Sequence, residues 1–140
     1  MVPLVALQVS VGLLALLGGW QMLTGGLGLD PAWLQRTPFP DWTLPALALM
    51  LLPGAGELIA AAAVLRRHRH ARPLAILSGM GLIAWILVQL AWLQVVHPVM
   101  QPAIFLVGAL ITVLAWSLPR TWDHRPGGTD EDRAGPRRRR

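Results

Sequence analysis

Glu57 is the only acid inside any hydrophobic run of this 140-residue chain, so its chemistry comes first. An ionisable side chain placed in hydrocarbon costs roughly 3 kcal/mol on insertion scales and is by default a candidate for proton or substrate handling. Two structural roles compete with that reading. Desolvation can keep the acid neutral, so that it donates a hydrogen bond and holds helices together. Alternatively, its side chain reaches toward Arg66 or Arg67 near the headgroups. Equal depths along antiparallel helices place Ser10 and Gly12, Ser78 and Gly81, and Thr112 level with Glu57, which makes Ser10, Ser78 and Thr112 its expected hydrogen-bond partners. The structural roles are the preferred expectation.

A second group of residues could hold a small molecule. Ser78, Gly81, Trp85, Gln89, Trp92 and Val96 recur at three- and four-residue intervals and share one helix face, which is expected to turn inward. Two tryptophans flanking an amide could stack on and orient an amphiphile with a polar head, such as a quinone, isoprenoid or lipid. The segment from Pro38 to Trp42, with Phe39 and Asp41, would form a lid over it. The simpler reading is packing: the tryptophans fill space between helices, Trp92 marks the outer interface, and Gln89 bonds Gln21 or Gln101. Packing is preferred, because membrane helices need polar contacts with or without a ligand.

Other chemistries lack their residues. With no cysteine there is no disulfide, thiolate metal site or cysteine nucleophile. His68 and His70 sit two apart in a short linker without a nearby acid, so no metal or other cofactor is expected. No Ser-His-Asp set, zincin helix, phosphate loop or paired carboxylate is present, and Asp130, Glu131 and Asp132 form a charge run in a polar tail. The reading leans away from an enzyme.

The elements that must position these residues are membrane helices. The chain is 54% hydrophobic and only 14% charged, outside the range of ordinary soluble domains. Spans are expected at about 3–24, 42–65, 74–96 and 99–118, each long enough for a hydrocarbon core of roughly 30 Å at about 1.5 Å per residue. A cleaved signal peptide is a weaker reading of the first, since no basic segment precedes it and no small-x-small site follows. Gly25, Gly26 and Gly28 end that helix, and Asp30-Pro31 caps a short helix over Ala32 to Arg36, expected to lie in the membrane interface with Trp33, Phe39 and Trp42. Pro53-Gly54 should kink the second span. Residues 1–119 thus form one four-helix transmembrane domain, and 120–140 a disordered basic tail.

Orientation follows from the arginines. The net charge of +5 contains no lysine, and Arg36 alone lies in the loops of one face, whereas Arg66, Arg67, Arg69, Arg72 and the tail arginines lie on the other. The positive-inside rule makes that second face, and both termini, cytoplasmic. The same clusters would meet anionic lipid headgroups there rather than nucleic acid. A homo-oligomer or a larger membrane complex would supply any protein partner. The Ala, Leu, Gly, Pro and Arg bias fits a GC-rich bacterial genome and hence a bacterial plasma membrane.

The Gly-rich end of the first helix, Thr37-Pro38-Phe39 with Asp41, Gly54 and Gly56, the Ala84 to Gln89 segment AWILVQ, and Gln101-Pro102 together resemble an uncharacterised family of small four-helix bacterial integral membrane proteins. The likeness covers roughly Gly18 to Ala115. It implies fold and location but no chemistry. The expectation is therefore an all-α membrane protein, a bundle of four transmembrane helices with a short interfacial helix, acting as a structural, accessory or interaction protein. The rivals are a binder or intramembrane enzyme for an apolar molecule in the outer half, and a proton-coupled transporter subunit using Glu57.

Overall fold

The computed structural model describes residues 1–35, 37–93 and 99–120, apart from the side chains of Pro31, Trp92 and Leu93. The expected turn at His97-Pro98, the tail from 121 and the Arg36 end of the interfacial helix lie outside the described residues. Everything regular among the described residues is helical. Helix α1 spans Val2–Leu23, α2 Thr43–Leu65, α3 Ala71–Leu93 and α4 Met100–Trp116.

Three of these helices, α1, α2 and α3, are long and apolar enough to cross a membrane, whereas the described part of α4 is apolar but only 17 residues long. What they bury supports a lipid solvent. Ala46, Ala60, Ala61, Ala71, Ala75 and Ala115 are inside, while Leu51, Leu52, Leu77, Leu106 and Val113 are each more than 60% exposed. In water such a surface would be a large apolar liability. In hydrocarbon, association depends on close packing of small residues, and large aliphatics can face the solvent.

Glycines set the closest approaches. A Cβ on Gly12 of α1 would stand 2.8 Å from the Leu58 side chain and 3.0 Å from the Gly54 carbonyl oxygen of α2. On Gly79 of α3 it would meet the Thr112 hydroxyl and, at 2.8 Å, the Gly108 carbonyl oxygen of α4. Both seams therefore bring backbone against backbone. The larger core, Leu4, Val64, Ala71, Ala75, Leu82, Ile111, Ala115 and Leu118, joins all four helices toward the end that holds the 66–70 turn.

Local chemistry explains the helix ends. Gly25 adopts φ +72°, and the Gly26 N–H then reaches the Gln21 carbonyl at 2.8 Å, closing α1 with a left-handed cap. The same closure ends α2, where the His68 N–H bonds the Ala63 carbonyl at 2.9 Å across Arg67 at φ +49°. At Pro53 the missing N–H is absorbed by a π-helical stretch, Met50–Ala55, within α2.

One expectation becomes more specific and one needs correction. The short helix expected after α1 is, in its described part, a single 3₁₀ turn, Pro31–Leu34, capped by Asp30 Oδ1 accepting from the Ala32 N–H at 2.8 Å. Pro38 and Pro40 follow too closely for a second turn. On α3 the most buried positions are Ala71, Ala75, Gly79, Leu82 and Ile86, whereas Gly81 is exposed and Ser78, Trp85 and Gln89 are half-buried. The inward face is thus rotated by one residue, about 100° at 3.6 residues per turn. Small residues take the tight α4 seam, and the larger polar and aromatic ones take the flank.

Candidate functional site

The structure separates the candidate residues into two places. The first is a polar layer toward the end of the bundle that holds the 66–70 turn. Glu57 of α2 is 1% exposed and Gln8 of α1 is fully buried. Ser78 of α3 completes the group: Gln8 Nε2 donates to Ser78 Oγ at 3.1 Å, and that hydroxyl donates to the Ala75 carbonyl at 3.1 Å. Gln8 and Ser78 are the polar side chains acting on the Glu57 carboxyl, yet neither completes a hydrogen bond of normal geometry with it. Both carboxyl oxygens of Glu57 and Gln8 Oε1 remain buried without a partner.

That arrangement corrects the expected partners of the acid. Ser78 is beside it, as the depth argument requires. Ser10 instead faces outward, and Thr112 donates to the Gly108 carbonyl of its own helix at 2.8 Å. Gln8 carries the contact from α1. Its position was legible in principle, because Leu4, Gln8, Gly12, Ala15 and Gly19 form the buried strip of α1 at four- and three-residue intervals. A lone amide in a strip of small residues belongs inside.

The second place is a cavity of about 110 Å³ at the opposite end. Phe39 and Thr37 from the loop, Trp42 and Pro45 from the start of α2, and Trp85 and Gln89 from α3 surround it, with Met22 of α1 closing one side. Phe39 of the loop is thereby brought together with Trp85 and Gln89 of α3. The indole Nε1–H of Trp42, one of the lining residues, is buried without a hydrogen-bond partner among the described residues. Trp42 and Met22 also border a smaller depression of about 90 Å³ lined by Gln21, Gly25 and Gly28.

Two of the candidate residues stand apart from this cavity. Asp41 is exposed, and its Oδ1 accepts the Thr43 N–H at 2.8 Å. Glu57 belongs to the other layer, and the Trp92 side chain lies outside the described residues. The loop is held by its own bonds: the Thr37 hydroxyl donates to the Leu34 carbonyl at 2.9 Å and accepts the Phe39 N–H at 3.3 Å. Comparisons of the chain with protein-family models, curated proteins and solved structures return no match.

Proposed function

We propose that this chain is a non-catalytic four-span protein of the bacterial plasma membrane, with both termini cytoplasmic, that binds one small apolar molecule bearing a hydrogen-bond acceptor in its outer half. The observation that carries the binding role is the buried, partnerless N–H of Trp42, a residue that lines the aromatic cavity. An unpaired buried donor costs about 1–3 kcal/mol, and a ligand carbonyl would offset that. A purely structural or accessory role leaves it unexplained. Because 110 Å³ is well below the roughly 300–1,000 Å³ of a drug-sized pocket, the site accommodates a single ring or head with its chain lying among lipid. A quinone ring has that shape and that acceptor.

The fourth span is supported by length and by packing. Seventeen residues fall at the short end of the roughly 17–25 that cross a bilayer, and α4 packs on α3 through the Gly79–Gly108 approach. The one-sided arginines support the orientation, and the rings of the loop support its placement at the outer interface.

The test is native mass spectrometry of protein purified in mild detergent. The wild type should retain one molecule per chain, and Trp42→Phe, which keeps the ring and removes the donor, should bind it about fivefold more weakly, as expected for one hydrogen bond of about 1 kcal/mol. Bare protein in both samples, or lipid retained equally by both, would remove the binding role and leave the accessory one.

A further inference from the structure

The polar layer is far from the cavity and needs its own explanation. Gln8, Glu57 and Ser78 come one each from α1, α2 and α3, roughly 10 Å in from their helix ends at about 1.5 Å per residue. The layer is short of protons. Ser78 donates its only O–H to a backbone carbonyl, and one Gln8 N–H goes to Ser78. Three buried oxygens, Glu57 Oε1, Glu57 Oε2 and Gln8 Oε1, then have no donor.

Among the described residues no protein cation serves them. On α1 the only charged group is the Met1 amine, and among the described residues α4 carries no titratable side chain. On α3 the sole charge is Arg72, whose Nε is buried without a partner but whose guanidinium lies over the Trp116 ring at 5.4 Å, not on the carboxyl of Glu57. Arg66, Arg67 and Arg69 are exposed in the turn that ends α2. A buried water could donate to two of the oxygens but would leave a carboxylate charge uncompensated in hydrocarbon. One carboxylate, with no cluster of three His, Cys, Asp or Glu among the described residues, matches a single positive charge rather than a divalent metal.

We propose that Gln8, Glu57 and Ser78 form a binding site for one small monovalent cation, a proton or a sodium ion, independent of the outer cavity. A proton on Glu57 would be donated to Gln8 Oε1 and so satisfy two oxygens at once. A sodium ion would take both carboxyl oxygens and Gln8 Oε1, with Ser78 Oγ beside it. In either case the cation joins three helices, and stability follows its concentration.

The chain has only two glutamates, Glu57 and Glu131, which makes the site directly observable. The full chain in nanodiscs, with ¹³C-labelled glutamate and ¹⁵N-labelled glutamine, would be titrated with pH and, at fixed pH, with NaCl replacing choline chloride. The Glu57 carboxyl and Gln8 amide signals should move together, with a common midpoint at which the melting temperature also begins to rise. Movement with sodium at fixed pH identifies sodium as the cation; movement with pH alone identifies the proton. Gln8→Leu should displace the Glu57 midpoint by tenfold or more in cation concentration, while Ser10→Ala, at an exposed position, should leave it in place. A Glu57 signal that titrates without the Gln8 signal, or with the same midpoint in Gln8→Leu, would overturn the site. Should Gln8→Leu not fold, co-movement of the two wild-type signals still decides the matter.

Discussion

The two ends of the bundle hold different kinds of unfinished hydrogen bonding. Toward the 66–70 turn, three buried oxygens lack a donor and the buried Arg72 Nε lacks an acceptor; at the other end, one buried indole N–H lacks an acceptor. The three oxygens ask for a positive charge, and the indole asks for a carbonyl in an apolar setting. A protein that only needed polar contacts between helices would pair such groups with each other, since an unpaired polar group in lipid costs several kcal/mol. Here about two-thirds of a span separates them. The difference teaches that polar residues in the spans are not interchangeable adhesive: their donor and acceptor counts indicate what each end receives.

Both places are built by α1, α2 and α3. Met22, the loop, the start of α2 and α3 form the cavity, and Gln8, Glu57 and Ser78 form the polar layer. Among the residues that make up the two sites, none belongs to α4. That helix buttresses α3 through Gly79, Gly108 and Ile111.

The comparison is broken most completely if the two ends are on the wrong sides. Reporter fusions within Arg67 to Arg72 and after Arg140 should read as cytoplasmic, and one within Asp30 to Arg36 as external, an all-or-none contrast set by the arginine bias. An external signal at Arg140 would break the four-span arrangement. Activity of both reporter types at the 67–72 position would point to a mixed topology and deprive the cation site of a defined side.

Next in size are the glycine seams. Gly12→Val would drive a side chain into Leu58 and the Gly54 carbonyl, between the two sites, and Gly79→Val would do the same against α4. Each should cost about 3 kcal/mol, the upper end of ordinary overpacking. Only Gly12→Val should also weaken the response of both sites in the fraction that stays folded. Gly81→Val is the control, since nothing lies within 4 Å of an added Cβ there. Equal damage to the sites from Gly79→Val would show that α4 is part of them.

Much of the fold can be read from the sequence because span length and hydropathy act over twenty residues at a time. The ends of α1 and α2 fall within a residue of the expected spans, since Gly25 and the basic turn mark them chemically. The rotation of α3 was harder to read. Large polar and aromatic residues draw attention as the inner face, yet in lipid the tightest seam goes to alanine and glycine, which carry no hydropathy signal of their own. For the sites, Phe39, Trp85 and Gln89 are legible directly as ring and amide chemistry, whereas Gln8 is legible only through its strip, because its meaning depends on which residues three and four away are buried.

The smallest effect belongs to Asp41, and it separates a residue that shapes the cavity from one that touches a ligand. Its carboxylate accepts the Thr43 N–H at 2.8 Å, two residues on, just as Asp30 accepts the Ala32 N–H at 2.8 Å before the 3₁₀ turn. Each acid fixes the chain as it enters a helical segment, a local role that Asn fills equally well. Asp41→Asn should therefore leave both the melting temperature and ligand retention unchanged. Asp41→Ala removes the acceptor and should cost about 1 kcal/mol, with looser ordering of Phe39 and Trp42 read as faster amide exchange from Thr37 to Thr43. If Asp41 instead bound a charged group of the ligand, Asn would lose retention at full stability. That outcome would replace the quinone-like occupant with a cationic one and erase the difference between the two ends.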